Sequence, residues 1–441
     1  MSAPTNTTTN TDVASAIADA QARFTAANPN SQAQLEVAAK VLPGGNTRTV
    51  LFYPPFPLTI TKGEGSYLWD LDGHKYIDFL GEYTAGLYGH SNPIIRAAID
   101  RALDNAIVMG GQNQAEAGLA SAIVDRCPAI ARVRFTNSGT ESNMMAIVTA
   151  RAVTGRNKVM VMEGGYHGGV LSFRPGGTPV NAPFDYVIAN YNDPEGTRKQ
   201  IAEHGDDLAC VVVEPMAGGA GCIPATHEYL QMLRDETAKR GIILIFDEVM
   251  TSRLAPGGAQ EIHNIMPDMT TFGKYIGGGL TFGAFAGRAD IMDRYDPRRP
   301  DAYPHAGTFN QNVLTMAAGY TGLSQIYTPD VAVEFNARGD KLRERLQGIA
   351  EKHALPIQIT GMGSMMCVHF NRKPIHSIAD AYSDNAPAKD MFHLDMLDRD
   401  HYIARRGMMV LSLPMGDKEF DGLAAAFEDF LTARKDLLSQ V

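Results

Sequence analysis

Ile242-Ile243-Leu244-Ile245-Phe246-Asp247-Glu248 and, shortly after it, Asp268-Met269-Thr270-Thr271-Phe272-Gly273-Lys274-Tyr275-Ile276-Gly277-Gly278-Gly279 are the most informative stretches of this chain. The first is an unbroken apolar run of strand length ended by two acids. Such a run describes a strand covered on both faces, as in the parallel sheet of an α/β protein. An acid at the carboxyl end of that strand sits where open α/β sheets bind their ligands. The second stretch places Lys274 just before three glycines. A strand-end acid followed by a lysine pairs a carboxylate able to hold a cationic ring nitrogen with an amine able to attack a carbonyl.

The same alternation extends outward in both directions. Apolar strands are predicted at 132–135, 158–162, 186–189, 208–213 and 242–246, and helices at 93–109, 140–154, 227–240 and 313–326. Strands separated by helical stretches imply a mostly parallel sheet with helices on both faces. Upstream, Asp12 is placed to cap a helix running to about Ala27, and Ser31 to cap a second one ending before Pro43-Gly44-Gly45. Leu58–Thr61, Tyr67–Asp70 and Tyr76–Phe79, with a turn at Asp72-Gly73, read as a meander. Thr328-Pro329 marks a border. The expected division is a disordered tail over 1–11, an N-terminal segment of a small domain over 12–91, a large domain over 92–328, and a C-terminal α+β small domain over 329–441.

Composition excludes several classes. The chain has 441 residues with a net charge of −10, 44% hydrophobic and 20% charged, ordinary values for a globular protein without a nucleic-acid footprint. Cys127, Cys210, Cys222 and Cys367 are scattered without a CxxC pair. That argues against zinc and disulfides and for a reducing compartment. No Lys or Arg precedes Arg23, which argues against basic targeting leaders. No apolar run approaches the ~20 residues of a membrane span. A cytoplasmic location is expected.

Chemistry gathers at four strand ends. Ser138-Gly139-Thr140 joins a strand to a helix, where free N–H groups and the positive helix end suit a phosphate; alone, it is equally a capping turn. Gly164-Gly165-Tyr166-His167-Gly168-Gly169 follows the 158–162 strand, and Tyr166 can stack on a flat ring. His167 lacks companion metal ligands and reads as structural. Asp247 needs a cationic or donor partner, since a shielded carboxylate is costly alone. Val249 can pack on the ring face opposite Tyr166. Lys274 completes the set: partial burial lowers a lysine pKa and frees its amine for carbonyl attack. Together the four elements point to pyridoxal 5′-phosphate.

On these motifs the chain resembles class III, fold-type I aminotransferases over roughly 35–435. Val41-Leu-Pro-Gly-Gly45, Thr136-Asn-Ser-Gly-Thr140-Glu141 and Gly273-Lys274 resemble glutamate-1-semialdehyde aminomutases. Asn46-Thr-Arg48-Thr-Val50, Glu82-Tyr-Thr-Ala-Gly86, Asp247-Glu-Val-Met-Thr-Ser-Arg253, Thr308-Phe-Asn310 and Val410-Leu-Ser-Leu-Pro414 are more similar to aromatic β-amino acid aminotransferases. The resemblance makes Lys274 the Schiff-base lysine, Asp247 the ring-nitrogen partner, Ser138, Gly139 and Thr140 the phosphate cup, and Tyr166 the stacking residue. It implies that Glu214 lies near the ring and can pair with a substrate-binding arginine. Thr308 would reach the phosphate of the neighbouring subunit, which implies a homodimer. Arg48 would bind a β-amino acid carboxylate. Arg406, with Arg405 as the neighbouring alternative, would bind the acceptor's second carboxylate.

The sequence departs from the aminomutases at Thr308-Phe-Asn-Gln-Asn-Val313, where they carry Gly-Asn-Pro, and from the β-amino acid enzymes over 372–400. The expected function is transfer of an amino group from a β-amino acid, foremost (S)-β-phenylalanine, to 2-oxoglutarate or another 2-oxo acid by ping-pong kinetics. The alternatives are an aminomutase, a broad ω-amine transaminase, and a cofactor-binding protein without turnover.

Overall fold

The computed structural model describes residues 12–440; the expected disordered tail, 1–11, lies outside them. Asp12 caps the first helix, Val13–Ala27, by accepting from Ser15 N at 2.7 Å. The second helix corrects the expectation for Ser31. It begins at Pro29, whose ring presets the first helical turn, and Ser31 is buried inside it, donating to Asp72 Oδ2 at 2.8 Å. An antiparallel meander follows: β1 (Ile60–Glu64), β2 (Tyr67–Asp70) and β3 (Lys75–Asp78). β1 starts at Ile60, two residues later than expected, and Leu58 is buried in the preceding loop.

The large sheet is built from β4 (Arg132–Thr136), β5 (Lys158–Met162), β6 (Asp185–Ala189) and β7 (Leu208–Val213). After the ribbon β8 (Met216–Ala217) and β9 (Ile223–Pro224) it continues with β10 (Ile243–Asp247), β11 (Met269–Gly273) and β12 (Gly283–Gly287). Its order is β4-β12-β11-β10-β7-β5-β6. β11, β10, β7, β5 and β6 pair in parallel, while β12 runs antiparallel to both neighbours. Only residues 274–282 link β11 to β12, too few for the crossover that a parallel partner needs, so the chain turns straight back. β7 and β10 are buried along their whole length, as their apolar runs predict. The helix expected over 93–109 ends at Asn105, because Ile107, Val108 and Met109 find no core to cover them. Helix Gln114–Arg126 escapes the apolar pattern: among its residues only Leu119 and Ile123 are buried.

The remaining strands are β13 (Ile357–Met362), β14 (Met365–Phe370), β15 (His401–Tyr402) and β16 (Met408–Val410). β13, β14 and β16 form one antiparallel sheet, and β15 joins β3 in parallel, closing the N-terminal meander. Helix Ala386–Leu397 packs on Val13–Ala27, and Arg23 pairs with Asp398 at 2.7 Å. Among the described residues no helix is long and apolar enough to cross a membrane, and no cluster of His, Cys, Asp and Glu could hold a metal ion.

Candidate active site

Asp247 ends β10, and parallel neighbours bring the ends of β11 and β7 beside it. It is buried and fully engaged. Oδ2 accepts from Asn143 Nδ2 at 2.8 Å and faces His167 Nδ1 at 2.7 Å, while Oδ1 accepts from Val249 N at 3.0 Å. Asn143 in turn donates to the His167 carbonyl at 3.0 Å and accepts from Thr271 Oγ1 at 2.7 Å. Burial pulls the His167 imidazole down, but the hydrogen bond and charge of Asp247 outweigh it and hold it above the usual histidine value. The sequence signal for this partnership was faint: His167 and Asn143 had no periodicity or motif tying them to position 247.

Lys274 follows β11 directly, in a left-handed backbone conformation with φ of 56°. A lysine rarely adopts it, and such strain concentrates at functional sites. Its ammonium is pulled down to about 8, first by burial and next by the Arg48 guanidinium, with Glu82 opposing. A group at that value is about one-tenth neutral at pH 7, far more than an ordinary lysine, and the neutral amine is the nucleophile.

Ser138 caps helix Gly139–Thr154, its Oγ accepting from Glu141 N at 3.1 Å. The adjoining glycines make a cradle. A Cβ on Gly139 would lie 2.9 Å from the methyls of Val249, and one on Gly273 would lie 3.1 Å from Val249 Cγ1. Val249 therefore sits against Gly139 and Gly273, beside Lys274. Gly168 has φ of +133°, and a Cβ there would lie 2.6 Å from Thr140 Cβ. Thr140 Oγ1 accepts from Gly169 N at 3.3 Å, joining the 138–140 turn to the Tyr166 loop.

Tyr166 is 47% exposed. Its N–H donates to Glu214 Oε2 at 3.1 Å, and Gly218 N donates to Oε1 at 3.2 Å. Glu214 is buried. Burial raises its carboxyl to about 7, with Asp247 adding to the rise and His167 opposing it.

The arginines meet on one ring. The Arg406 guanidinium lies 4.8 Å and that of Arg48 6.0 Å from the centre of Tyr83. Arg48 pairs with Glu82. Arg405 is taken by Asp390, at 2.5 Å and 2.8 Å, whereas Arg406 has no carboxylate partner among the described residues. A cavity of about 360 Å³ opens here, lined among others by Phe52, Tyr83, Arg174, Lys389 and Arg406. Thr308 is not brought to these residues. It is exposed beside Phe309 (57%) and faces a small hollow shared with Ile107, Val108 and Met109. Asn310, two residues on, accepts from Asn137 Nδ2 at 2.9 Å and ties this loop to the 138–140 turn.

The family model "Aminotransferase class-III" matches residues 52–391. The chain is 49% identical over 423 residues, 96% of its length and 97% of the relative's, to a β-phenylalanine transaminase of Variovorax paradoxus. It is 36% identical over 405 residues, 88% of its length and 92% of the relative's, to a glutamate-1-semialdehyde 2,1-aminomutase of Rhodopirellula baltica. The crystal structure of a β-phenylalanine aminotransferase from Variovorax paradoxus superimposes with a TM-score of 0.95 at 48% identity, covering 97% of this chain and 99% of that one.

Proposed function

The chain belongs to the class III aminotransferases and is a pyridoxal phosphate-dependent transaminase; from that premise we propose that it takes the amino group of an aromatic β-amino acid, foremost (S)-β-phenylalanine, and passes it to 2-oxoglutarate or another 2-oxo acid by ping-pong kinetics. The observation that carries this reading is the pair of guanidiniums, Arg48 and Arg406, set on one ring, Tyr83. Two arginines give one carboxylate anchor for the donor and a second for a dicarboxylic acceptor. The 49% identity to a β-phenylalanine transaminase favours the aromatic β-amino donor over the aminomutase reaction.

The residues present fit the cofactor: a glycine cradle at a helix N-terminus, a buried carboxylate, an exposed aromatic ring and an amine of lowered pKa. Bound pyridoxal phosphate supplies an aldehyde and an electron-accepting ring. In this reading Ser138, Gly139 and Thr140 would receive its phosphate, Tyr166 and Val249 would flank its ring, and Asp247 would accept from its ring nitrogen. His167 and Asn143 fix the Asp247 carboxylate in place. Lys274 would hold the cofactor through Nζ, and the same amine, when free, would be the base that takes the proton from the substrate carbon bearing nitrogen. Arg48 fixes the donor carboxylate and so chooses which carbon faces Nζ. Glu214, near neutrality, supports the Tyr166 loop through its backbone N–H. Thr308, on its exposed loop, reaches the site of a second copy, and the enzyme works as a homodimer. The four cysteines are all free, which favours the reducing cytoplasm.

The test uses holoenzyme mixed separately with (R)- and (S)-3-amino-3-phenylpropanoate, followed by 2-oxoglutarate. Loss of the visible cofactor band with the S form alone, reversed by the oxo acid, is the expected result. Bleaching only by carboxylate-free 1-phenylethylamine would replace this reading with a general amine transaminase. Isomerisation of glutamate 1-semialdehyde without an external acceptor would replace it with an aminomutase.

A further inference from the structure

The carboxylate anchor proposed for the donor is already occupied. Arg48 pairs with Glu82, and both side chains are about half exposed, at 43% and 49%, so solvent and ligand reach the pair. Arg406, on the same Tyr83 ring, has no such resident acid among the described residues. The two anchors are therefore unequal before any substrate arrives.

Glu82 is not on a relaxed loop that happens to touch Arg48. Gly81, Glu82, Tyr83 and Thr84 have φ of 53°, 47°, 49° and 84°, a run of successive left-handed residues. Each non-glycine member is strained and persists only where its surroundings impose it. The surroundings here do so from both ends. Asp78 Oδ1 accepts from Leu80 N and Gly81 N, each at 3.0 Å. Fully buried Arg253, which has no carboxylate partner among the described residues, donates to the Thr84 carbonyl at 3.4 Å and to that of Leu411 at 2.5 Å. Between these ends Tyr83 is buried, and its hydroxyl donates to the Val50 carbonyl at 3.1 Å, two residues from Arg48. The strained run thus holds Glu82 and the Tyr83 platform in fixed relation to the Arg48 loop. The charges of Arg48 and Glu82 also act in opposite senses on the Lys274 amine, so the pair lies within electrostatic reach of the reacting group.

We propose that Glu82 is a resident counter-carboxylate that occupies Arg48 until a substrate carboxylate displaces it, and is thereby a specificity-determining residue. The proposal rests on Arg48 being the donor-carboxylate anchor. A carboxylate-free amine leaves the pair intact, whereas every carboxylate ligand of Arg48 competes with Glu82. An exposed ion pair is a weak competitor, so it weakens carboxylate binding roughly 1.4- to five-fold.

The experiment titrates holoenzyme with 3-phenylpropanoate, a carboxylate without an amine, and follows the cofactor's absorbance at fixed ionic strength. Wild type, Glu82→Gln, Arg48→Ala and the double variant are compared. Glu82→Gln should bind the probe roughly 1.4- to five-fold more tightly, and that gain should vanish on the Arg48→Ala background. Unchanged or weaker binding in Glu82→Gln, with Arg48→Ala still weakening it, overturns the proposal and leaves Arg48 in its role. An equal gain with and without Arg48 also overturns it, because Glu82 would then act through the general field of the cleft. Unchanged binding in Arg48→Ala removes the anchor itself, and both readings fall together.

Discussion

His167 Nδ1 and Asp247 Oδ2 lie 2.7 Å apart with both side chains buried, and the pair keeps the imidazole above its usual value despite the burial. The strand-end acid is thus held by His167 and by Asn143 before any cofactor nitrogen reaches it. Removing one partner from a buried polar group costs about 1–3 kcal/mol. His167→Leu should lower the unfolding free energy of the apoenzyme by about that amount, measured in urea, and unchanged stability would show that the pair contributes nothing.

Lys274, at about 8, sets the pH dependence of cofactor capture. The neutral amine is the reactive form, so the rate at which apoenzyme captures pyridoxal phosphate should rise about tenfold per pH unit below 8 and level off above it. Stopped-flow absorbance reads this directly. Lys274→Ala should lose roughly 10²–10⁴ or more in turnover. It should also retain no cofactor after borohydride reduction.

Gly168 allows the Tyr166 loop to close on Thr140. Gly168→Ala places a Cβ against Thr140 in a backbone region that L-residues avoid. The expected cost of about 1.4 kcal/mol at the phosphate turn corresponds to roughly tenfold weaker cofactor binding. Fluorescence titration of apoenzyme checks it.

Phe309, Ile107, Val108 and Met109 expose apolar surface around Thr308. An apolar patch of this kind marks a contact face. Phe309→Asp should shift the protein from dimer to monomer in size-exclusion chromatography and weaken cofactor retention with it. A dimer unchanged by the substitution would place the interface elsewhere.

His369 is buried with Nδ1 2.8 Å from Asp384 Oδ2 and Nε2 3.0 Å from the Gly221 carbonyl, two acceptors. Nε2 also lies 2.9 Å from Thr360 Oγ1, and with a carboxylate on one nitrogen and a carbonyl on the other the surroundings favour the protonated ring. Burial opposes this, but Cys367 and Asp384 outweigh it and raise the ring to about 9, with Lys389 opposing. A folded-state value above the unfolded one means stability that is complete below about 6.5 and lost as pH rises through about 9. The difference in unfolding free energy between wild type and His369→Gln should shrink across that window.

The sheet was legible because β7 and β10 are unbroken apolar runs, a pattern dictated by burial on both faces. The antiparallel return of β12 was not, since Gly283-Ala284-Phe285-Ala286-Gly287 carries little apolar mass, and its direction follows from loop length alone. In the site, Asp247 and Lys274 could be found because each stands at the end of a strand. His167 and Asn143 could not be tied to Asp247, because their partnership is made by the fold across distant segments. The resident acid at Arg48 was hidden for a related reason: it depends on a backbone run that no side-chain pattern announces.

The pairing of β15 with β3 joins Tyr402 to Asp78. During synthesis, the three early strands must therefore wait with one edge unsatisfied until almost the entire polypeptide has left the ribosome. A stop codon anywhere before that late strand would release a chain whose opening sheet has an exposed border, ready to recruit another copy instead of its own tail.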